Sequence, residues 1–353
     1  MSTPVDLALL RLAAQRIAGP GCDTPTDAVR WLTALQAQDY PGALISVALR
    51  TRSRDRSDVE AALTAGAVVK SWPLRGTLHF VPAEDLPWLL DLTAERELIG
   101  ATRRHAELEL DERSFAWARD LAEQALHGGR ELTRAGLQQV WERAGLSTAG
   151  QRGYHLIWQL ALTRTLCFGP VRDGEQQLVL LAEWAPRTRQ PERDEALGEL
   201  ASRYFRGHGP ATVKDLARWA NLLVADVRTA VAIARPALER IEVDGVEYLM
   251  DPQTPDRLAR YREHAEEVFL LPGFDEYMLG YGDRSAALPV RFAERIVPGG
   301  NGMFRSTVVC AGQVVGTWVR TGQGAKRTLQ ATAFTQFSER VEAALPQLYD
   351  RLP

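Results

Sequence analysis

The stretch that decides the fold covers residues 207–251 and reads GHGPATVKDLARWANLLVADVRTAVAIARPALERIEVDGVEYLMD. Thr212 suits the N-cap of a first helix. Apolar residues recur at helical spacing over residues 224–234, which predicts a second helix that Pro236 ends. Alternating apolar residues on both sides of Asp244-Gly245 predict a two-residue hairpin. Helix, turn, helix and hairpin in this order predict a winged helix-turn-helix.

The same order of elements recurs twice upstream. After Thr133, a helix, a turn and a longer helix are predicted before a hairpin at Asp173-Gly174. Nearer the N-terminus, Thr26 and Ser57 begin predicted helices, and a hairpin follows around Pro73–Gly76. Repetition of one supersecondary unit is typical of a modular array.

We therefore predict a mainly α fold with small β wings (α+β), in which tandem winged helix-turn-helix units and a C-terminal α+β segment form one C-shaped body. The predicted domains are winged-helix unit 1 at 1–90, winged-helix unit 2 at 91–183, winged-helix unit 3 at 197–256, and a C-terminal α+β cap with β-hairpins at 257–353. Residues 184–196 read as a linker. In the cap, a hairpin is predicted at Ala311-Gly312 and a final helix from about Phe334 to Tyr349.

The composition is that of an ordinary globular protein. Hydrophobic residues make up 45% of the chain and the formal net charge is −3, which argues against a strongly basic, nonspecific DNA coat but leaves room for a local basic surface. No run approaches the ~18 apolar residues that span a bilayer, and the N-terminus does not resemble a signal peptide. Cys22, Cys167 and Cys310 have neither zinc-site spacing nor a disulfide pattern, and we expect them to be buried. We predict a cytoplasmic protein with no membrane association, no metal and no cofactor.

A polar segment near the N-terminus reads Leu35-Gln36-Ala37-Gln38-Asp39-Tyr40-Pro41-Gly42. Pro41 disfavours a helical residue before it, so the first helix is expected to end here. If the chain becomes extended near Leu35, residues two apart point the same way, and the amides of Gln36 and Gln38 face one side. From spacing alone, the alternative is a solvated helix end whose glutamines cap carbonyl groups.

Several blocks of this sequence, in the same order, resemble the winged-helix DNA glycosylases of the AlkZ type. They are Gln36-Ala37-Gln38, Arg75-Gly-Thr-Leu-His-Phe80, His208-Gly-Pro-Ala-Thr212, Leu271-Pro-Gly-Phe-Asp-Glu-Tyr277 with Gly280-Tyr-Gly-Asp-Arg284, and Gly312-Gln-Val-Val-Gly-Thr-Trp318. The resemblance covers essentially the full length and implies that Gln36 and Gln38 are the catalytic pair. The related YcaQ-type glycosylases carry Asp at the second position. Gln38 therefore places the chain in the Gln-x-Gln subgroup, which is tied to antibiotic-derived lesions that include interstrand crosslinks.

Glutamine restricts the chemistry, because an amide cannot act as a general acid or base. A purine alkylated at N7 or N3 is already cationic and leaves as a neutral base without protonation. The enzyme then has to place a water at C1′ and present dipoles to an oxocarbenium-like sugar. We therefore predict a DNA glycosylase that hydrolyses the N-glycosidic bond of such purines, with bulky antibiotic adducts and interstrand crosslinks within its range, in DNA repair or self-resistance.

Lysine is scarce in this chain and occurs only at Lys70, Lys214 and Lys326. Glycosylases that also cut the strand use an amine to form a Schiff base. Since none of these lysines lies near Gln36 in sequence, we predict a monofunctional enzyme that leaves an abasic site. A crosslinked or bulky base cannot be flipped into a snug pocket, so an open surface is expected to hold the duplex.

Further residues are predicted to contact DNA through phosphate groups or a groove. They are Arg75, His79, Arg320, Gln323, Lys326 and Arg327. Arg75 and His79 lie on the first wing, where the alternative role of His79 is to hold the hairpin together. The basic run Arg50, Arg52, Arg54 and Arg56 is expected in a solvated loop. Asp275 and Glu276 have no histidine at ligand spacing, so they are expected to be structural rather than part of a metal site.

The predicted partner is double-stranded DNA that carries alkylated purines, with no obligate protein partner. A monomer is expected, because no heptad pattern appears. The alternative function is a non-catalytic winged-helix transcriptional regulator, which should bind one DNA sequence and tolerate Gln36→Ala. A protein-binding scaffold is a third possibility, and it should show no affinity for DNA.

Overall fold

The computed structural model describes residues 4–322 and 327–353, which form helices connected by antiparallel hairpins. The helices are α1 Pro4–Ala14, α2 Pro25–Leu32, α3 Tyr40–Ala48, α4 Arg56–Thr64, α5 Leu86–Glu107, α6 Glu112–Leu126, α7 Arg134–Arg143, α8 Arg152–Leu162, α9 Leu181–Trp184, α10 Arg193–His208, α11 Val213–Ala220, α12 Val224–Ala234, α13 Thr254–Ala265, α14 Glu276–Leu279, α15 Ala293–Ile296 and α16 Glu339–Asp350. The strands are β1 Leu35–Gln36, β2 Val68–Leu74, β3 Thr77–Pro82, β4 Leu132–Thr133, β5 Leu166–Arg172, β6 Glu175–Leu180, β7 Glu239–Val243, β8 Val246–Met250, β9 Val268–Leu271, β10 Thr307–Cys310, β11 Gln313–Thr321 and β12 Thr328–Ala333.

The stretch 207–251 folds as its sequence predicts, with α11 and α12 followed by the hairpin β7–β8. The N–H of Asp215 donates to Oγ1 of Thr212 at 3.1 Å, and the N–H of Thr212 donates to Oδ2 of Asp215 at 2.9 Å. This reciprocal capping box fixes the start of α11. Asp244 and Gly245 have φ values of 51° and 77°, as a type I′ hairpin turn requires.

The second predicted repeat is also present, as α7, α8 and the hairpin β5–β6; α6, which precedes Thr133, was not predicted as part of it. Oγ1 of Thr133 caps α7 by accepting from the N–H of Gly136 at 2.9 Å, and the hairpin turns at Asp173-Gly174 with φ values of 52° and 80°. Strand β5 pairs with β2 through Phe168 and Lys70. The first and second wings therefore share one sheet, in the order β3-β2-β5-β6-β4, and this sheet crosses the predicted boundary at residue 90.

The first predicted repeat differs in its helix ends. The N-cap residue of helix α2 is Thr24, whereas Thr26 was predicted to begin the helix. The helix ends at Leu32, before the glutamines. Pro41, expected to terminate a helix, instead stands in the first turn of α3. A proline is well tolerated there, because the N–H that it lacks has no partner within the helix.

The C-terminal segment contains the sheet β12-β11-β10-β9. Its first hairpin turns at Ala311-Gly312, with φ values of 48° and 77°. Helix α16 packs against this sheet, where Val341 meets the buried Trp318. The helix begins later than the predicted Phe334, because Oγ of Ser338 accepts from the N–H of Val341 and caps it.

The described residues pack into two compact units. The first contains Met1–Asp58, Leu197–Trp219 and Leu223–Pro353, and the second contains Val59–Ala196 and Ala220–Leu222. The first unit therefore holds the glutamine segment, most of the third winged helix and the C-terminal sheet. The second unit holds the shared sheet of the first two wings.

Residues 4–322 and 327–353 include no helix that is long and apolar enough to cross a membrane. Within the same ranges, no group of His, Cys, Asp and Glu side chains is arranged to hold a metal ion. The cysteines are free thiols. Cys167 is buried as expected, whereas Cys22 and Cys310 are only half-buried.

Candidate active site

The Gln36-Ala37-Gln38 segment is extended where it leaves α2. Thr33 ends that helix with a φ of 71°, and Leu35 and Gln36 form the short strand β1. The strand ends at Gln36, and the chain bends at Gln38 before α3 begins. Gln36 is 9% exposed, whereas Gln38 is exposed to solvent. The chain has thus left α2 before Gln36, as the extended alternative requires, and the two glutamines differ in how far they reach the surface.

A buried carboxylate lies directly against this segment. Oε1 of Glu276 accepts from the backbone N–H of Gln36 at 3.3 Å. Oε2 of Glu276 accepts from Nε1 of Trp219 at 2.9 Å and lies 3.2 Å from Nε2 of His208. All three partners come from different elements, so Glu276 connects the glutamine segment to α10, α11 and α14. Because a buried carboxylate is stable only with such partners, the position of Gln36 is tied to this network.

A second buried pair lies beside the first. The guanidinium of Arg50 donates to both carboxylate oxygens of Asp275, at 2.8 and 2.9 Å. Both side chains are 1% exposed. Arg50 was expected in a solvated loop, and that expectation is wrong for this residue. Oγ of Ser46 donates to Asp275 as well, at 2.6 Å, so α3 is joined to the start of α14 by a bidentate, charge-assisted contact.

Gln15 joins the two carboxylate sites. Its Oε1 accepts from Arg50 at 2.8 Å. Its Nε2 donates to the backbone oxygen of Glu276 at 3.2 Å and to the hydroxyl of Tyr281 at 3.0 Å. Burial raises the pKa of the Tyr281 phenol, which stays neutral and donates to the backbone oxygen of His208 at 2.8 Å. The platform beneath the glutamine segment is therefore a connected, hydrogen-bonded network, which favours one fixed geometry.

On the first wing, His79 is fully buried. Its Nδ1 lies 2.8 Å from the backbone oxygen of Thr77, and its Nε2 lies 3.2 Å from Nη2 of Arg75. Both ring nitrogens thus have partners within the hairpin, which fits the alternative role of His79 in holding the hairpin together. Arg75 is half-buried at the hairpin tip, where its φ is 54°.

The hairpin β11–β12 carries the other predicted DNA contacts. The described strands pair in register as far as Thr321 and Thr328. Arg327 is exposed and Arg320 is half-buried. Burial lowers the pKa of Arg320, and the neighbouring charges of Arg56 and Arg327 act in the same direction. Two arginines, Arg320 and Arg327, thus lie at the described end of this strand pair. Gln323 and Lys326 lie outside the described residues.

From the sequence alone, Glu276 was expected to be structural but its partners were not identified, and neither His208 nor Arg50 was assigned a supporting role. Their partners lie far along the chain: Glu276 meets Gln36 across 240 positions, and Arg50 meets Asp275 across 225. A signal was present in the acidic pair at the end of the apolar run VFLLPGF, because charges in such a setting need buried partners.

Tandem winged helices with an extended glutamine pair define the class of this protein, a DNA glycosylase. The chain belongs to the family described as DNA glycosylase AlkZ-like, which matches residues 29–352. It is similar to the Interstrand DNA cross-link repair glycosylase of Streptomyces sahachiroi, with 27% identity over 314 residues that cover 83% of this chain and 81% of the relative. The solved structure of Streptomyces sahachiroi DNA glycosylase AlkZ has the same fold, with a TM-score of 0.83, 23% identity and coverage of 99% of this chain and 96% of that one. The predicted family resemblance, the predicted fold of helices with small antiparallel sheets and the predicted DNA glycosylase activity are confirmed.

Proposed function

We propose that this enzyme hydrolyses the N-glycosidic bond of purines that alkylation at N7 or N3 has made cationic, including bulky antibiotic adducts and interstrand crosslinks, in DNA repair or self-resistance. The name of the similar Streptomyces protein supports crosslinks as substrates. The observation that carries the proposal is the extended glutamine segment, held through Gln36 by the buried Glu276 and presenting Gln38 to solvent.

Gln36 and Gln38 are the proposed catalytic pair. Their amide oxygens can accept hydrogen bonds from an attacking water and turn their negative ends towards the sugar as it gains oxocarbenium character. The backbone of Gln36 is anchored to Glu276, which supports a segment that is held in place before substrate arrives and needs little backbone reorganisation during the reaction. No proton has to be supplied to the leaving group, because the base departs neutral.

The monofunctional character of the enzyme remains part of the proposal. Lys70 is the lysine to consider, because burial, together with the charge of Arg134, lowers its pKa to about 8. Its ammonium packs over the ring of Phe168 within the shared sheet of the second unit, 4.7 Å from the ring centroid. A lysine held in that sheet is poorly suited to attack a sugar. Borohydride trapping of a covalent DNA adduct that Lys70→Met abolishes would overturn this proposal.

The proposed partner is double-stranded DNA carrying alkylated purines, bound by a cytoplasmic monomer without a metal or cofactor. Arg75, Arg320 and Arg327, with Gln323 and Lys326, are the proposed contacts. Helix α12 stands where a regulator would place its reading helix, yet it has a single arginine and exposes Val224 (66%) and Ile233 (47%). Such a surface does not suit reading of base edges, which supports an enzyme rather than a sequence-specific regulator.

The substrate proposal predicts strong selectivity for activated glycosidic bonds. Wild-type enzyme in single turnover should release N7-methylguanine from a duplex at least about 100-fold faster than hypoxanthine or uracil from the same position, because the uncharged bases need an acid that the motif lacks. Base release is measured by chemically cleaving the strand at the abasic site that it leaves, with an enzyme-free control for spontaneous depurination. Equal rates for charged and uncharged bases would contradict the proposal.

A further inference from the structure

Three arginines converge on one tryptophan in the first unit. The guanidinium carbon of Arg16 lies 4.0 Å from the ring centroid of Trp31, that of Arg206 lies at 4.7 Å, and that of Arg257 lies at 5.1 Å. Nε1 of Trp31 donates to the backbone oxygen of Ala14 at 2.7 Å, which fixes the ring. Like charges gathered around one ring repel each other. Such a cluster is therefore costly without a counter-charge, and the chain as a whole has a net charge of −3.

The charges of these arginines are not neutralised by direct ion pairs. Among residues 4–322 and 327–353, none of the three forms an ion pair, and a nitrogen of each is buried without a hydrogen-bond partner: Nε of Arg16, Nε of Arg206 and Nη1 of Arg257. Burial lowers the pKa of Arg206 and of Arg257, and the charge of Arg16 adds to the effect at both. Carboxylates act in the opposite direction on the pKa: Glu199 and Asp251 at Arg206, and Asp251 at Arg257.

The backbone is also arranged for this cluster. Arg16 has a φ of 59°, in the left-handed region that glycine or asparagine occupies more readily. Arg16 thus places a long side chain on a backbone conformation that residues with a Cβ adopt less often. A Cβ at Gly207 would lie 2.7 Å from the backbone oxygen of Trp31, so a glycine there lets α10 bring Arg206 close to the tryptophan.

Two members of the cluster, Arg16 and Arg257, also line a cleft of about 470 Å³. Its lining residues are Arg16, Pro20, Gln253, Asp256, Arg257, Arg260 and Tyr261. Arg16, Arg257 and Arg260 stand against one carboxylate, that of Asp256, so the lining of the cleft has a positive excess. Guanidinium groups suit tetrahedral oxyanions because their donors form a fixed fork. We propose that this cleft binds a backbone phosphate of the DNA strand that is being repaired.

The location of the cluster favours DNA as the source of that phosphate. Trp31 and Gln36 are five positions apart, so their Cα atoms are separated by no more than about 18 Å. That span corresponds to a few nucleotides of one strand. A phosphate held at the cleft would therefore fix the register of the strand relative to the catalytic glutamines. This inference rests on the proposed action on duplex DNA.

The test compares the salt dependence of DNA binding for wild type and Arg16→Asn, by fluorescence anisotropy on an undamaged duplex. Asparagine removes the guanidinium and suits the left-handed backbone, so thermal stability should be unchanged or higher. Affinity at about 0.1 M salt should fall about ten-fold, and the slope of log K against log salt should decrease by about 0.9. Arg257→Gln should act in the same direction. The exposed Arg340 on α16 provides the matched control, Arg340→Gln, which should leave the slope unchanged.

Three results would overturn the inference. The first is an unchanged slope in folded Arg16→Asn and Arg257→Gln, and the second is an equal change of slope in Arg340→Gln. The third is that inorganic phosphate stabilises the wild type against heat and not Arg16→Asn, while DNA binding is the same for both proteins. The last result would assign the cleft to a free phosphate. Base release is measured on the same samples. If the arginine variants reduced the salt slope as expected but the wild type released no base, the proposed substrate would be wrong and the proposed phosphate cleft would stand.

Discussion

Replacing Gln38 by alanine should lower the single-turnover rate of N7-methylguanine release by about 10²–10³-fold, the usual effect of removing one preorganised dipole from an active site. Gln36→Ala should have an effect of the same order. Gln38 is exposed, so its removal should change the free energy of unfolding by less than about 0.5 kcal/mol. Gln36→Ala keeps the backbone N–H that donates to Glu276, so the segment itself should stay in place.

The control for these variants is Gln139→Ala, which removes another exposed glutamine, from α7 in the second unit. Its rate of base release should equal that of the wild type. Binding of an undamaged duplex should be the same for all four proteins. If Gln36→Ala and Gln38→Ala both released the base at the wild-type rate, the assignment of the catalytic pair would be wrong.

Asp275→Asn should reduce the free energy of unfolding by about 3–5 kcal/mol, because it leaves the charge of Arg50 buried without a counter-charge. The change preserves the size of the side chain and its ability to accept a hydrogen bond. The effect therefore reports on the charge and not on packing. The measurement is urea unfolding monitored by tryptophan fluorescence. The first unit should unfold at a lower urea concentration in the variant than in the wild type.

A second variant separates charge from shape at this site. Adding Arg50→Met to Asp275→Asn removes the uncompensated charge, and much of the lost stability should return, because an apolar replacement for a buried ion pair is often neutral. Asp275→Asn alone with wild-type stability would show that the buried pair contributes little. The exposed pair Arg235 and Glu247 gives a comparison, since Glu247→Gln should cost less than about 1 kcal/mol.

The elements that the sequence predicted correctly depend on local rules. The helices and hairpin of residues 207–251 follow from a capping threonine, helical spacing and an Asp-Gly turn, all of which act within a few residues. The extended backbone at Gln36 was predicted for a reason that was partly wrong. Pro41 starts α3 rather than ending α2, because a proline that disfavours the middle of a helix also suits its first turn.

The parts that the sequence did not predict depend on contacts between distant segments. The charge of Arg50 was placed in solvent because its sequence neighbours Arg52 and Arg54 are charged, and nothing local reveals Asp275 as its partner. The joining of the first two wings through Lys70 and Phe168 likewise follows from the pairing of two strand edges. No periodicity within one strand encodes such a pairing.

The central claim is that an amide pair, without a general acid or base, releases a base that is already cationic. Its most direct test is the single-turnover rate of N7-methylguanine release by the wild-type enzyme between about pH 6 and pH 8.5. Amides do not titrate in this range, so the rate should be the same throughout, after subtraction of spontaneous depurination. A rate that follows the ionisation of a single group, or no release at any pH, would contradict the account.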